Sequence, residues 1–288
     1  MLWAAPAPET TGAVALAPAL RVRFDSLDAP GGVPVLLQAW FYAARGVAAA
    51  QRAPAVVLFH GCGGMLNRKG EPTLRMRDYG DRLSARGWHV LAVDSFSPRG
   101  EKEVCTQRTG SRKITILERR RDALAALQWL AAQPGVDGAR LALLGWSHGG
   151  STVLAATNRR HPEVARATVK PRLAVAFYPG CESDLRRGYQ PVSDALLLVG
   201  LADDWTAAAS CQALAGPRDG PDGERLQVWV IAYEGAHHGF DGQAPLTHRK
   251  DVPNGVNPGL GVHVGGDPQA RKQSQQALLD ALTAAFER

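Results

Sequence analysis

The chain has 288 residues, of which 45% are hydrophobic and 21% charged, so it can bury a large core and disorder is not expected to dominate. A formal net charge of +6 raises nucleic acid as a partner, but the basic residues are scattered or accompanied by acids, as in Glu118-Arg119-Arg120-Arg121-Asp122, which reads as a solvated helix face. No apolar run reaches the ~18 residues that a bilayer span requires, so neither a nucleic-acid partner nor a membrane span is expected.

Residues 1–19, rich in Ala and Pro, look like the tail of a secretory signal or a flexible arm, yet they lack a basic start and a long apolar stretch. They are read as a flexible leader ahead of one domain over 20–288. Residues 20–24 and 33–42 alternate imperfectly around Pro30-Gly31-Gly32, which suggests an opening antiparallel pair. The apolar run 55–60 ends at Gly61-Cys62-Gly63-Gly64 and fits a strand buried on both faces that runs into a loop. A helix is expected over 73–86, stopped by Gly87, then another buried strand over 88–94. The polar stretch 95–113 is a loop long enough to line a site. Leu117, Leu124, Leu127 and Leu130 then recur at helical spacing over 114–132, before Pro134-Gly135.

The next stretch organises the rest. Leu141-Ala142-Leu143-Leu144 is apolar and stops at Gly145-Trp146-Ser147-His148-Gly149-Gly150, a pattern of strand, sharp turn and helix. A serine on such a turn sits at the C-terminal end of the strand with its hydroxyl exposed, and the glycines keep side chains away where strand and helix nearly touch. Ser147 is the candidate nucleophile. Beyond it, strands are expected at 172–178, 195–200 and 226–233, a helix from 206 to 214, a turn-rich piece at 216–223, a loop over 234–268 and a closing helix over 269–288. The Gly- and Pro-rich piece 243–266 reads as an insertion on the same domain, and no internal repeat or linker is present. Repeated strand-helix alternation predicts an α/β fold, a mostly parallel sheet of about eight strands with helices on both faces.

A serine hydroxyl is a weak nucleophile near neutral pH and needs a base, an acid that orients the base, and donors for the oxyanion. Gly200-Leu201-Ala202-Asp203-Asp204-Trp205 follows one apolar strand, and Gly235-Ala236-His237-His238-Gly239-Phe240-Asp241 follows the next. Serine, acid and histidine thus occur in the order Ser, Asp, His, each in a loop after a strand.

With these stretches and Phe59-His60-Gly61-Cys62-Gly63-Gly64, the chain from residue 20 to its end resembles the α/β-hydrolase superfamily, and within it the dienelactone-hydrolase-like esterases. The resemblance implies Asp203 as the acid, with Asp204 in reserve, and His238 as the base. His237 stands where the family often has an aromatic and is expected to pack or to line the rim. The founding dienelactone hydrolases use cysteine, so Ser147 is a departure that points towards a broader carboxylic ester hydrolase. The oxyanion hole is expected from the backbone N–H groups of Cys62 and His148, with His148 acting through its amide and His60 organising its loop. No cofactor or metal is implied, and the expected partner is a small-molecule ester.

Asp94, Arg99 and Glu118 could touch substrate, with structural roles preferred, and Trp146, Trp205 and Phe240 could wall an acyl pocket or belong to the core. Cys62, Cys105, Cys181 and Cys211 are too dispersed for a C-x-x-C knuckle, so zinc is not expected. They are either buried thiols, consistent with the cytoplasm, or two disulfides, which imply a periplasmic or secreted protein. In the fold that the resemblance implies, the third and fourth strands are neighbours, as are the sixth and seventh, which pairs Cys62 with Cys105 and Cys181 with Cys211. Two other readings are a small serine peptidase of the acyl-peptide-hydrolase kind, which usually carries a large extra domain, and an inert hydrolase-fold binding protein, against which the intact Ser-Asp-His order stands.

Overall fold

Leu20–Asp25 (β1) and Leu36–Tyr42 (β2) form the expected antiparallel pair in the computed structural model, which describes residues 19–48 and 50–288. Of the leader expected over 1–19, residues 1–18 lie outside the described residues. There follow β3 (Ala53–Phe59), α1 (Leu74–Ser84), β4 (His89–Asp94), α2 (Ile116–Ala131), β5 (Val136–Trp146), α3 (His148–Thr157) and α4 (Pro162–Ala165). The second half adds β6 (Leu173–Phe177), α5 (Glu182–Arg187), β7 (Asp194–Gly200), α6 (Ala208–Gln212), β8 (Gly216–Asp219), β9 (Arg225–Tyr233), β10 (Thr247–Arg249), β11 (Val262–Val264) and α7 (Pro268–Glu287).

The main sheet has nine strands in the order β1-β2-β4-β3-β5-β6-β7-β9-β8. It is parallel from β4 to β9 and antiparallel at both ends, the arrangement of an α/β-hydrolase. The strand beyond the eight expected is β8, in the piece read as turns. Its Gly-Pro-Arg-Asp composition carries no strand signal, and it exists because the edge of β9 offers it a backbone to pair with. The helix expected over 206–214 is shorter, and the long loop after β9 contains a small hairpin, β10 against β11.

Every residue of β3, β6 and β7 is buried, as parallel strands covered on both faces require. Alternate side chains go to opposite faces. Val57, Leu143, Ala174 and Leu197 pack with α2 and α3, while Val56, Leu144, Val175 and Leu196 face the layer of α1 and α7. Each fully buried aliphatic side chain contributes about 1.5–3 kcal/mol, so this double core holds the strand ends rigidly enough to carry a site.

One expectation fails clearly. The charged run on α2 is not a solvated face: Arg119, Arg120 and Asp122 are all buried, while Leu117, counted among the apolar positions, is 39% exposed. Each buried charge has distant partners. Asp122 accepts hydrogen bonds from Ser26 and from Arg99, which also pairs with Asp28, and Arg120 pairs with Glu163. Arg99 is therefore structural. Glu118 completes the capping box of α2 with Thr115, and Asp94 accepts from Gln38 and from the N–H groups of Phe96 and Ser97.

The cysteines form two disulfides, Cys62–Cys105 and Cys181–Cys211, each joining the segments that follow two neighbouring strands, with Cys211 on α6. No described helix is long and apolar enough to cross a membrane.

Candidate active site

The turn between β5 and α3 dictates its own sequence. Ser147 has φ 55°, a left-handed conformation that a serine adopts only when its surroundings enforce it. Its N–H donates to the carbonyl of Phe177 at 2.9 Å, fixing the turn to β6. A methyl group on Gly145 would overlap the backbone of Gly149, and one on Gly149 would overlap the carbonyl oxygens of Phe59 and His60. The two glycines are thus required by the approach of α3 to β3 and β5, and this approach aims the serine hydroxyl out of the sheet.

Loops after β7 and β9 bring the acid and the histidine to it. Nε2 of His238 lies 2.9 Å from Ser147 Oγ, and Nδ1 lies 2.8 Å from Asp203 Oδ2. Both His238 and Asp203 are buried. Asp203 also accepts from the N–H groups of Trp205 and Thr206 and from the Thr206 hydroxyl, so its orientation does not depend on the histidine alone. Asp204 turns elsewhere and meets His263 at 2.7 Å.

Cys62 follows β3, and its loop lies against the elbow: a methyl group on Gly61 would be 3.5 Å from the Ser147 Cβ. Neither Cys62 N–H nor His148 N–H donates to another described residue. His148 opens α3, where the helix dipole adds positive potential. Its ring is occupied elsewhere, because Nδ1 accepts from Arg119 at 2.8 Å. Burial, and next the Arg119 guanidinium, hold the His148 imidazole well below the usual histidine range, so it stays neutral. His60 is similar: burial and Arg119 lower its pKa to about 3, and its ring spans Gly61 O and Ser95 N in the loop-organising role expected.

Three residues near Ser147 are not expected there from the sequence: Arg119, which reads as part of a solvated helix face, and Asp241 and Tyr178, which carry no functional reading. Arg119 is fully buried, donates to His60 O at 2.8 Å, and lies over the rings of Phe59 and Phe96. Burial lowers its pKa to about 9, with Asp122 opposing the fall. Asp241 is a buried hub that accepts from Arg75, Tyr79, Trp146 and Tyr178, tying the His238 loop to the elbow strand. Tyr178 has φ 38° and sets its ring 4.5 Å from that of His238, centre to centre. Burial raises the pKa of Tyr79 and Tyr178 well above normal, so both remain donors to Asp241. Asp241 was within reach of the sequence, as an acid beside a phenylalanine three positions past His238.

Ser147 opens onto two clefts. One, of about 500 Å³, is lined by Gly63, Arg75, Tyr79, Tyr178 and Val264. The other, of about 560 Å³, is lined by Arg112, Leu117, His148, Ser151 and Thr206. Cys62 and Trp205 border both, and the Trp205 ring lies 4.6 Å from that of His238, so Trp205 is a wall between them. Phe240, by contrast, is a core residue that borders neither cleft, while Trp146 is buried in the core and also borders the first cleft.

A profile of the dienelactone hydrolase family matches residues 41–285. Among solved structures, a dienelactone hydrolase-like promiscuous phosphotriesterase from metagenomic libraries is 21% identical with a TM-score of 0.60, over 94% of this chain and 100% of that one. Esterase 2 of Thermogutta terrifontis, phosphoramylated by tabun, is 19% identical with a TM-score of 0.59, over 93% and 95%. Dipeptidyl peptidase 4 of Porphyromonas gingivalis is 18% identical with a TM-score of 0.55, over 78% of this chain but 33% of that one. A search of curated proteins finds no match. At these identities the solved structures establish the shared fold, and the family profile establishes descent over most of the length: the chain belongs to the dienelactone hydrolase family and is a hydrolase of the α/β-hydrolase fold.

Proposed function

We propose that the protein is a serine hydrolase that cleaves carboxylic esters of small molecules through an acyl-enzyme, with Ser147 as nucleophile, His238 as base and Asp203 as the acid that orients it. The observation that carries this reading is the unbroken hydrogen-bonded chain from Ser147 Oγ through His238 to Asp203. Asp203 on Nδ1 leaves the lone pair of His238 at Nε2, where it takes the serine proton as Oγ attacks the ester carbonyl. The oxyanion is received by the N–H groups of Cys62 and His148. The proton on Nε2 then passes to the leaving alcohol as the carbon–oxygen bond breaks. Water enters, the same nitrogen removes its proton, and collapse of the second tetrahedral species releases the acid and restores Ser147. The two clefts on either side of Ser147 suit an acyl and an alcohol group. The two disulfides support an extracytoplasmic setting for this activity.

A fluorophosphonate probe tests the proposal because it traps an activated serine in a geometry close to the tetrahedral species. Structures of Thermogutta terrifontis esterase 2 with its phosphorylated adduct from paraoxon make such chemistry reasonable for this fold. Wild-type protein should be labelled at Ser147, Ser147→Ala should not, and His238→Ala should be labelled only slowly. No labelling of folded wild type would favour the inert binding protein, and an adduct mapped elsewhere would displace Ser147. Chromogenic esters of varied acyl length, run beside peptide amides, then separate an esterase from a peptidase.

A further inference from the structure

The two loops that supply the acid and the histidine each carry a doubled residue, Asp203-Asp204 and His237-His238. One member of each pair joins Ser147, and the others gather around His263 on β11. Asp204 accepts from His263 N–H at 2.8 Å through Oδ1 and from the Nδ1–H of the His263 ring at 2.7 Å through Oδ2. The His237 ring lies 5.4 Å from that of His263, and its Nδ1 is buried without a hydrogen-bond partner among the described residues. One donor atom from each of Asp204, His237 and His263 lies within 4.8 Å of the other two. Behind them, His248 of β10 stacks on His263 at 4.6 Å, and Asp204 O accepts from Val256 N–H at 2.8 Å, so the insertion supports the cluster.

We propose that Asp204, His237 and His263 bind one divalent transition-metal ion, with Zn²⁺ the best match, at a site separate from Ser147. Two imidazoles and one carboxylate favour zinc over calcium or magnesium, which take mainly oxygen donors. All four cysteines are paired, so no thiolate competes for the ion. Zn–N and Zn–O bonds of ~2.0–2.2 Å hold tetrahedral donors ~3.3 Å apart, so Asp204 and His263 open slightly and His237 closes in by side-chain rotation. The ion displaces the proton between Asp204 and His263, which moves to Nε2 or to solvent, and water takes the fourth position. Access is open, since the His263 and Asp204 side chains are 43% and 31% exposed. A bound ion would tie together the acid loop, the histidine loop and the β10–β11 hairpin. The binding site does not depend on the role proposed for Ser147.

Tag-free protein with its disulfides intact, stripped by chelator and dialysed, is titrated with Zn²⁺ by calorimetry and with Co²⁺ by visible absorption. One ion should bind with a dissociation constant of about 1 µM or tighter, well short of the affinity of four-ligand structural sites. Hundredfold excess Zn²⁺ should raise Tm by about 5 °C. His263→Ala and His237→Ala should each weaken binding about a hundredfold, and Asp204→Asn about tenfold. His238→Ala should bind as wild type does. Circular dichroism checks that each variant is folded, and the Co²⁺ spectrum of wild type reports nitrogen and oxygen ligation without any substitution. No stoichiometric uptake by wild type at 100-fold the expected constant overturns the proposal. So does uptake that survives in both His263→Ala and His237→Ala, or uptake that His238→Ala abolishes.

Discussion

Arg119 donates to Nδ1 of His148 at 2.8 Å and to the carbonyl of His60 at 2.8 Å, so one fully buried guanidinium joins the loop after β3 to the first residue of α3. These are the two segments whose amides are proposed to receive the oxyanion. A charge with no solvent contact is costly unless hydrogen bonds meet it, and here the two terminal nitrogens are met by the His148 ring and the His60 carbonyl, which fixes the separation of the two segments, while Nε has no partner among the described residues.

Replacing Arg119 should therefore affect turnover more than binding. Arg119→Lys keeps a charge but cannot reach both acceptors, and kcat for a chromogenic ester should fall about tenfold to a hundredfold while KM changes less than about threefold. Unchanged kcat in a destabilised but folded protein would reduce Arg119 to a purely structural residue.

Adjacent carboxylates should behave very differently. Asp203→Asn should lower kcat by about 10⁴, because His238 then loses the partner that sets its tautomer, whereas Asp204→Asn should stay within about tenfold of wild type. Steady-state kinetics decide this, and a larger loss at Asp204 would reverse the assignment.

Acid should destabilise the fold through His60. Its folded pKa of about 3 lies below the ordinary value of 6.5, so below pH 6.5 the unfolded chain binds a proton that the folded chain does not. Stability is then full above pH 6.5 and falls as pH drops towards 3, by about 2 kcal/mol at pH 5 from this residue. Burial lowers His148 and His89 in the same direction and adds to the loss. Urea unfolding from pH 7 to 5 should show that slope, and His60→Gln should flatten it. A slope identical in the variant would remove His60 as its source.

Reduction should weaken the protein and, at one bridge, its chemistry. Cys62–Cys105 spans 43 residues and Cys181–Cys211 spans 30, so each stabilises by about 4 kcal/mol through the unfolded chain. The double variant Cys181→Ser with Cys211→Ser should lower Tm but keep kcat in the folded protein. Removing Cys62–Cys105 should also lower kcat, since Cys62 carries a proposed oxyanion amide. Equal kcat in the two pairs would argue against that amide.

The elbow glycines admit a direct stability test. Gly149→Ala puts a methyl group against the carbonyls of Phe59 and His60, and thermal melts should show a loss of about 3 kcal/mol or failure to fold. A neutral substitution would mean that α3 does not approach β3 so closely.

What the sequence by itself determined is local. Continuous apolar runs marked the buried parallel strands β3, β4, β6 and β7, and glycines on either side of Ser147 marked a turn that only glycines permit, because these requirements act between residues close in the chain. Resemblance to a family supplied the order of the strands, and with it a cysteine pairing that the structure contains. Tertiary structure alone decided the partners of polar groups. Arg119 and His148 are 29 positions apart, and Ser26 and Asp122 are 96 apart, so nothing in the charged run on α2 revealed that it is buried. Strand β8 forms because β9 offers it an edge, not because of its own residues. Likewise the doubled pairs Asp203-Asp204 and His237-His238 look alike in sequence, and only the crossing of the β7 and β9 loops with β11 sends one of each towards Ser147 and the other towards His263. Backbone sterics and apolar periodicity are written in neighbouring residues, whereas the partner of a buried charge is set by which distant segments the fold brings into contact.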